Sequence, residues 1–200
     1  SFESWNQYQI PEALDENQIV EVFDSCVRRN IAEKIAGVQT LKQSGAVVGR
    51  ELDLTMDRRY FGKSKTSVPI FTGYELKHYT FASPESWCKE PKIVTNYTGT
   101  SQLRLAVNDI IPNSRRKMKA APMPTGTLSG NSLLVIYGFK DPAHFHLTLA
   151  ALNAMLTEYI LRPRLSNIHM NNFRLEALPV PTQIEEDLQD EIVECSKRLT

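Results

Sequence analysis

The sequence predicts an α/β, or mixed α+β, fold: a twisted mixed sheet with flanking helices, a buried helix near 142–161 and a C-terminal helix near 183–198. Three observations carry this. Apolar residues recur at helical spacing near both ends. Short apolar segments broken by Gly, Pro, Ser and Thr fill the middle. One long stretch is apolar on nearly every side. With 200 residues, 42% hydrophobic and 23% charged, the composition is that of a globular chain able to bury a core without disulfides or metals.

Ile19, Val20, Phe23, Val27, Ile31 and Ile35 mark a helix over 16–36, with Asp15 as N-cap, a break near Asn30 and Gly37 as its stop. Ala46–Val48, Val68–Phe71, Lys92–Asn96 and Leu103–Val107 then read as strands. Period-two character over 102–108 supports the last of these. Residues 115–121 and 132–138 read as two more strands around the loop 122–126. Leu133-Leu134-Val135-Ile136-Tyr137, apolar throughout, suits a strand buried on both faces. Asp141-Pro142 is an N-cap followed by proline at the first helical position, and Pro163 stops the helix it starts. Thr182-Gln183-Ile184-Glu185 has the form of a capping box. Behind it, Ile184, Leu188, Ile192, Cys195 and Leu199 form a single apolar stripe. The organisation is therefore a helical connector over 1–37, a sheet-rich body over 38–181 and a C-terminal helix over 182–200, within one compact domain.

The 23 basic and 23 acidic residues cancel only on average. Residues 1–27 hold six acids and no Lys or Arg; residues 183–200 hold six acids and two bases, leaving 21 bases against 11 acids over 28–182. A basic middle between acidic ends is the footprint of a polyanion partner, or of charge clustered on solvated helices. No run reaches the roughly 18 apolar residues of a membrane helix, so no membrane partner is expected. Cys26, Cys88 and Cys195 are too few and too far apart for a disulfide framework or a zinc site. They read as buried small hydrophobes in a reducing, cytoplasmic setting. The chain starts at Ser1 without a charged segment ahead of an apolar one, and reads as an excerpt of a longer protein without a secretory signal.

Catalytic chemistry finds little support. The nine glycines form no GxGxxG and no Walker loop, and the chain contains no Pro-Pro, which the tetrapeptide of adenine-N6 methyl transfer requires. Glu33-Lys34 and Glu75-Leu76-Lys77 match a metal-nuclease pattern only loosely and read as solvated charge. His144 and His146 point apart on a helix and read as part of its first turn. No cofactor and no catalytic residue is expected in this segment.

Binding chemistry is better represented. Ser114-Arg115-Arg116-Lys117-Met118-Lys119 is the densest basic run. On a strand, Arg115, Lys117 and Lys119 share one face and form a phosphate-tracking strip or a solvated edge, with Arg116 opposite. Arg162 and Arg164 flank Pro163, and guanidinium forks bind phosphate or guanine edges in pairs. Ser166, Asn167, His169, Asn171 and Asn172 make a polar loop whose groups pair with base edges or phosphates, or lock a turn through local backbone bonds. For Asn153 and Asn171 the structural role is expected. Tyr97-Thr98-Gly99-Thr100-Ser101 is a small polar loop suited to approaching a backbone or groove.

Leu152-Asn153-Ala154, Tyr159, Arg162, Ser166-Asn167-Ile168-His169-Met170-Asn171, Phe173 and Leu175-Glu176-Ala177-Leu178-Pro179-Val180-Pro181 together resemble the TaqI-like C-terminal specificity domain. That domain is the target-recognition part of DNA adenine-N6 methyltransferases and of fused type II restriction–modification enzymes. Ala154 stands where the family has Ser. Gly49-Arg50-Glu51-Leu52-Asp53-Leu54-Thr55 with Tyr60-Phe61 resembles a further family stretch, from whose spacing the inserted Arg50 departs. Val68–Leu76 with Tyr79, Pro91–Val94 and Leu103–Leu105 resemble its successive strands, so the similarity runs over roughly 40–181.

The resemblance implies a target-recognition domain over 38–181. Its partners would be double-stranded DNA and the catalytic methyltransferase domain of the same parent. S-adenosylmethionine would be bound in that other domain, and an endonuclease is possible in the parent. Two alternatives stand beside it. One is half of a type I specificity subunit. The other is a protein-interaction domain whose acidic ends bind a basic partner without nucleic acid.

Overall fold

A computed structural model describes residues 38–53, 56–63, 65, 68–89, 103–111, 118–161, 169–182 and 184–200. The chain divides into two units, Ser1–Ile35 and Ala36–Thr200, and every described residue belongs to the second. The expected helix over 16–36, the strand Lys92–Asn96 and the loop 97–101 lie outside the described residues.

The described part is mixed α+β, with ten strands in three sheets and four α-helices. Strands β2 (Val47–Gly49), β6 (Leu105–Asn108), β7 (Ala120–Pro122) and β9 (Leu133–Tyr137) form an antiparallel sheet in the order β2-β9-β6-β7. Strands β3 (Phe61–Gly62), β4 (Val68–Phe71), β5 (Ser86–Cys88) and β8 (Leu128–Ser129) form a second sheet, ordered β3-β5-β4-β8, whose β4–β8 pair is parallel. Strands β1 (Val38–Thr40) and β10 (Pro179–Pro181) close a two-stranded ribbon.

The central strands are buried on both faces, as their unbroken apolar sequences require. Successive side chains of a strand point to opposite sides. On β6 and β9, Leu105, Val107, Leu134 and Ile136 therefore join the main core, while Ala106 and Leu133 meet Phe71, Leu76, Ala121 and Met123 on the other face. Helix α1 (Pro142–Asn153) lies over the first face through Phe145, Leu149 and Leu152. A third cluster, Leu52, Ile70, Cys88 and Leu128, fills the second sheet.

The capping expectation at α1 holds: Pro142 opens the helix and Asp141 Oδ1 accepts from the His144 N–H at 2.7 Å. The single helix expected over 142–161 is instead two, because the backbone turns extended at Ala154 (φ −73°, ψ 144°) and restarts as α2 (Met155–Leu161). After it, α3 (Asn172–Glu176) and α4 (Glu186–Leu199) follow. The N-cap of α4 is Glu185 rather than Thr182, and the Glu185 side chain makes no cap bond, so the helix starts three residues later than the expected box places it. Helix α4 packs along α1, with Ser196 buried and its hydroxyl 3.0 Å from His146 Nδ1. The expected apolar stripe lies beside that contact rather than beneath it: Leu188 is 46% and Leu199 56% exposed. For the same reason Cys195 is exposed, against expectation, while Cys88 is buried as expected. The strand expected over 115–121 is described as Ala120–Pro122; residues 112–117 lie outside the described part.

Candidate functional site

One end of the first sheet gathers polar groups from five separate segments. Strand β6 ends there, β9 begins there, and β2 leaves it at Gly49. Asp109 follows β6 directly. Its N–H donates to Ser132 O at 2.9 Å and its C=O accepts from Met170 N at 2.6 Å, so both neighbouring loops are tied to it. The Asp109 side chain is 7% exposed, and a buried carboxylate is tolerable only when charged or strongly polar partners surround it. Arg50 Nη2 donates to its Oδ1 at 3.0 Å, and His169 Nδ1 lies 3.2 Å from its Oδ2. Arg50 Nη1 also donates to Asn131 O at 2.8 Å.

The same backbone junction supports a protruding aromatic. Ser132 Oγ accepts from Gly73 N at 2.9 Å, and Glu75, itself buried, accepts from Thr72 N (2.8 Å) and Thr72 Oγ1 (2.6 Å). Two buried anchors thus hold a short turn from which Tyr74 stands out, 83% exposed. The carboxylate of the Glu75-Leu76-Lys77 motif is therefore spent on a turn. Phe173, also exposed, opens α3 beside Arg174, whose guanidinium sits 5.5 Å from its ring centre and donates to His169 O at 3.1 Å.

Of the ten residues that the sequence assigns to DNA contact, three fall within the described part. His169 is half-exposed in the Asp109 cluster and its backbone bridges to Ile110. Asn172 is exposed at the first turn of α3. Lys119 is half-buried, with Nζ donating to Leu76 O at 3.1 Å, so its ammonium is turned onto the protein. Arg115, Arg116, Lys117, Arg162, Arg164, Ser166 and Asn167 lie outside the described residues. The chain enters 112–117 from Ile111 and leaves it at Met118, both in the main core; it leaves 162–168 at His169.

Asn153 has the structural role expected. Its Oδ1 accepts from Ala120 N (3.1 Å) and its Nδ2 donates to Ala120 O (2.9 Å) and Leu149 O (3.2 Å), so the amide stands in for a neighbouring strand along β7. Asn171 occupies the N-cap position of α3 without a side-chain cap bond; its carbonyl accepts from Arg174 N and Leu175 N.

Charge is distributed in two ways. Arg104, fully buried, pairs with Glu51 and donates to Pro124 O (3.2 Å) and Thr127 O (3.0 Å), while Glu51 also accepts from Ser129 N at 2.7 Å. That buried pair ties β6 to β8 and adds nothing to the surface field. Exposed cations instead flank the β3–β5 pair, Arg59 and Lys63 on either side of β3 and Lys89 at the end of β5, with Lys65, also exposed, two residues after Lys63 in sequence. Lys89 lies across Gly62, where a Cβ would come within 2.6 Å of its Cε, and Arg59 stacks on Tyr60, 4.6 Å from the ring centre. Sequence reasoning missed this group because its members are spread over thirty residues and join only through the Phe61–Cys88 and Gly62–Trp87 pairing.

No metal centre is formed: among the described residues no three His, Cys, Asp or Glu side chains cluster to hold an ion. His144 packs edge-on to Phe139 while His146 faces Ser196, so the two rings diverge. Burial holds both imidazoles below their ordinary pKa. Asp141 opposes the shift at His144 and Lys140 adds to it, and Lys197 adds to it at His146.

No family model matches the chain, and no curated protein matches it in sequence. Solved structures do match. The type IIG restriction endonuclease BpuSI aligns over 92% of this chain and 28% of its own, at TM-score 0.58 and 12% identity. A chain from a type I R-M system, studied for its assembly and conformational transition, aligns over 92% of this chain and 45% of its own, at TM-score 0.52 and 11% identity. The HsdS subunit from Thermoanaerobacter tengcongensis aligns over 92% of this chain and 44% of its own, at TM-score 0.47 and 15% identity. At these identities the likeness is one of fold. The chain spans less than half the length of each.

Proposed function

We propose that this chain is the DNA sequence-recognition module of a restriction–modification system. The observation that carries the reading is the fold shared with a type IIG restriction endonuclease over 92% of the chain. It agrees with the family resemblance that residues 152–181 display. The body supplies a platform: two sheets tied by the Glu51–Arg104 pair, with helix α1 tied to β7 by the Asn153 amide. Arg59, Lys63, Lys65 and Lys89, together with the run Arg115-Arg116-Lys117, supply cations for duplex phosphates. Arg162, Arg164, Ser166, Asn167, His169 and Asn172 supply donors and acceptors for base edges.

In this reading catalysis belongs elsewhere in the parent protein. Among the described residues, a surface depression of about 430 Å3 is lined by residues such as Lys140, Asp141, His144 and Gln189 and by no glycine-rich turn, which does not suit S-adenosylmethionine. We assign that cofactor, and adenine-N6 methyl transfer, to a methyltransferase domain of the same parent. Among the described residues no helix is long and apolar enough to cross a membrane, and we assign the protein to the cytoplasm, where a module that reads the genome would act. A second reading, one half of a type I specificity subunit, is favoured by the match to the type I R-M chain at TM-score 0.52.

Selection from a duplex library with a randomised centre tests the proposal. A recognition module enriches a defined motif of several base pairs; recovery of an unbiased pool contradicts it. The length of the motif separates the two readings, since a type I half reads only one part of a two-part target.

A further inference from the structure

We infer that Arg50 reads a guanine edge of the bound duplex and that Asp109 is the residue that positions it. This rests on the DNA-recognition reading and goes beyond it, since it assigns a base contact to a residue outside the basic run and the polar loop that the sequence singles out for DNA.

The geometry is specific. Arg50 follows β2 directly, and its guanidinium is held at two points: Nη1 on Asn131 O (2.8 Å) and Nη2 on Asp109 Oδ1 (3.0 Å). Both acceptors sit on segments fixed by β6 and β9, so the rotamer is set before any ligand arrives. A guanidinium has five N–H donors in a planar fork, and these two bonds use two of them. The side chain remains 39% exposed beside a carboxylate that is 7% exposed. Arg50 is thus a preorganised, partly solvated donor set.

The pairing also decides which DNA group such a donor suits. A phosphate contact draws its affinity from net positive charge and counterion release. Asp109 cancels that charge at 3.0 Å, which removes most of the advantage of a phosphate contact. What survives is direction: planar N–H groups at fixed positions, the complement of the O6 and N7 acceptor pair that guanine presents in the major groove. A buried carboxylate behind an exposed arginine therefore favours a base edge over the backbone. Asp109 also receives His169 Nδ1 (3.2 Å), so the same carboxylate orients a second side chain at this end of the sheet.

The test uses the full chain as wild type, Arg50→Lys, Arg50→Ala and Asp109→Asn. Each is put through selection on a randomised duplex and through titration at several salt concentrations, with circular dichroism to establish that it is folded. Arg50→Lys keeps the charge and the ion pair but loses the planar fork, so it stays informative even where Arg50→Ala unfolds. Arg50→Lys, which keeps the charge, should lose preference for one guanine by roughly 10- to 100-fold while the slope of log affinity against log salt stays unchanged, and Arg50→Ala should lose at least as much preference with a shallower slope, because it leaves the Asp109 charge uncompensated. Asp109→Asn should erode the same preference and steepen the slope by about 0.9, the value of one added phosphate contact. Two results overturn the inference alone: an unchanged selected motif, or a uniform loss across all sequences with a slope shallower by about 0.9. A wild-type chain that binds no duplex at any salt concentration fails before any substitution is made, and refutes the recognition reading itself.

Discussion

Replacing Asn153 with alanine removes the amide that substitutes for a missing strand along β7. Ala120 is fully buried, and its two backbone groups fare differently once the amide is gone. The Ala120 carbonyl keeps the Tyr79 N–H at 2.8 Å, but its N–H loses Asn153 Oδ1 with no water to replace it. An orphaned buried donor costs about 1–3 kcal/mol. His78, whose ring nitrogen is 2.8 Å from the same oxygen, is exposed and exchanges that bond for water at little cost. With the small void left behind, the expected loss is about 2–3 kcal/mol, which for a unit of this size lowers Tm by roughly 5–10 °C. Asn153→Asp should cost more than alanine at neutral pH, because it turns a charge toward the Ala120 and Leu149 carbonyls that the amide now serves. Thermal and urea unfolding followed by circular dichroism measure both. Losses under about 0.5 kcal/mol, the range of ordinary surface substitutions, would refute the structural role. So would unchanged stability with lost DNA affinity, which would move Asn153 to the reading surface.

Four further outcomes are expected. Arg104→Met leaves Glu51 buried without its cation and should cost about 3–5 kcal/mol, whereas the double change with Glu51→Leu should recover most of that; urea midpoints of the singles and the pair decide it. Stability should be full above about pH 6.5 and fall as pH drops further, because the unfolded chain takes up protons at its ordinary histidine pKa before the folded His144 and His146 do. His146→Gln should flatten that acid limb in a pH series of urea titrations. Asp141→Ala removes the cap on the His144 N–H and should cost about 1 kcal/mol by the same assay. Changing Lys63, Lys65 and Lys89 together to alanine should weaken binding to all duplexes alike and flatten the salt slope by about 0.9 for each lost phosphate contact.

Much of the fold was legible because local signals agreed with tertiary ones. Val68–Phe71 is a strand as its residues suggest, Leu133–Tyr137 is buried on both faces, and the Asp141-Pro142 start is where it was expected. Errors arose where a distant partner overrode a local pattern. Period two over 102–108 puts Leu103 and Arg104 on opposite sides without telling which is buried: Leu103 is half-exposed and Arg104 is buried, because Glu51 and the carbonyls of Pro124 and Thr127 hold the guanidinium inside. The break at Ala154 was invisible to periodicity because Asn153 bonds to a strand 33 residues earlier. The C-terminal stripe predicts which face of α4 is apolar but not how much of it is covered, which α1 decides. Within the site, His169 could be read from its motif. The Arg50–Asp109 pair, 59 residues apart, carried only two signals: a departure from family spacing at Arg50, and an acid at the end of an apolar strand.

Titration of the full chain against a random-sequence duplex across a salt series tests the central claim most directly. A module that grips the phosphate backbone should lose affinity steeply, with log affinity falling against log salt by about 0.9 for every phosphate contacted. Binding that is absent, or that stays level as salt rises, would contradict DNA recognition and leave only a shared fold.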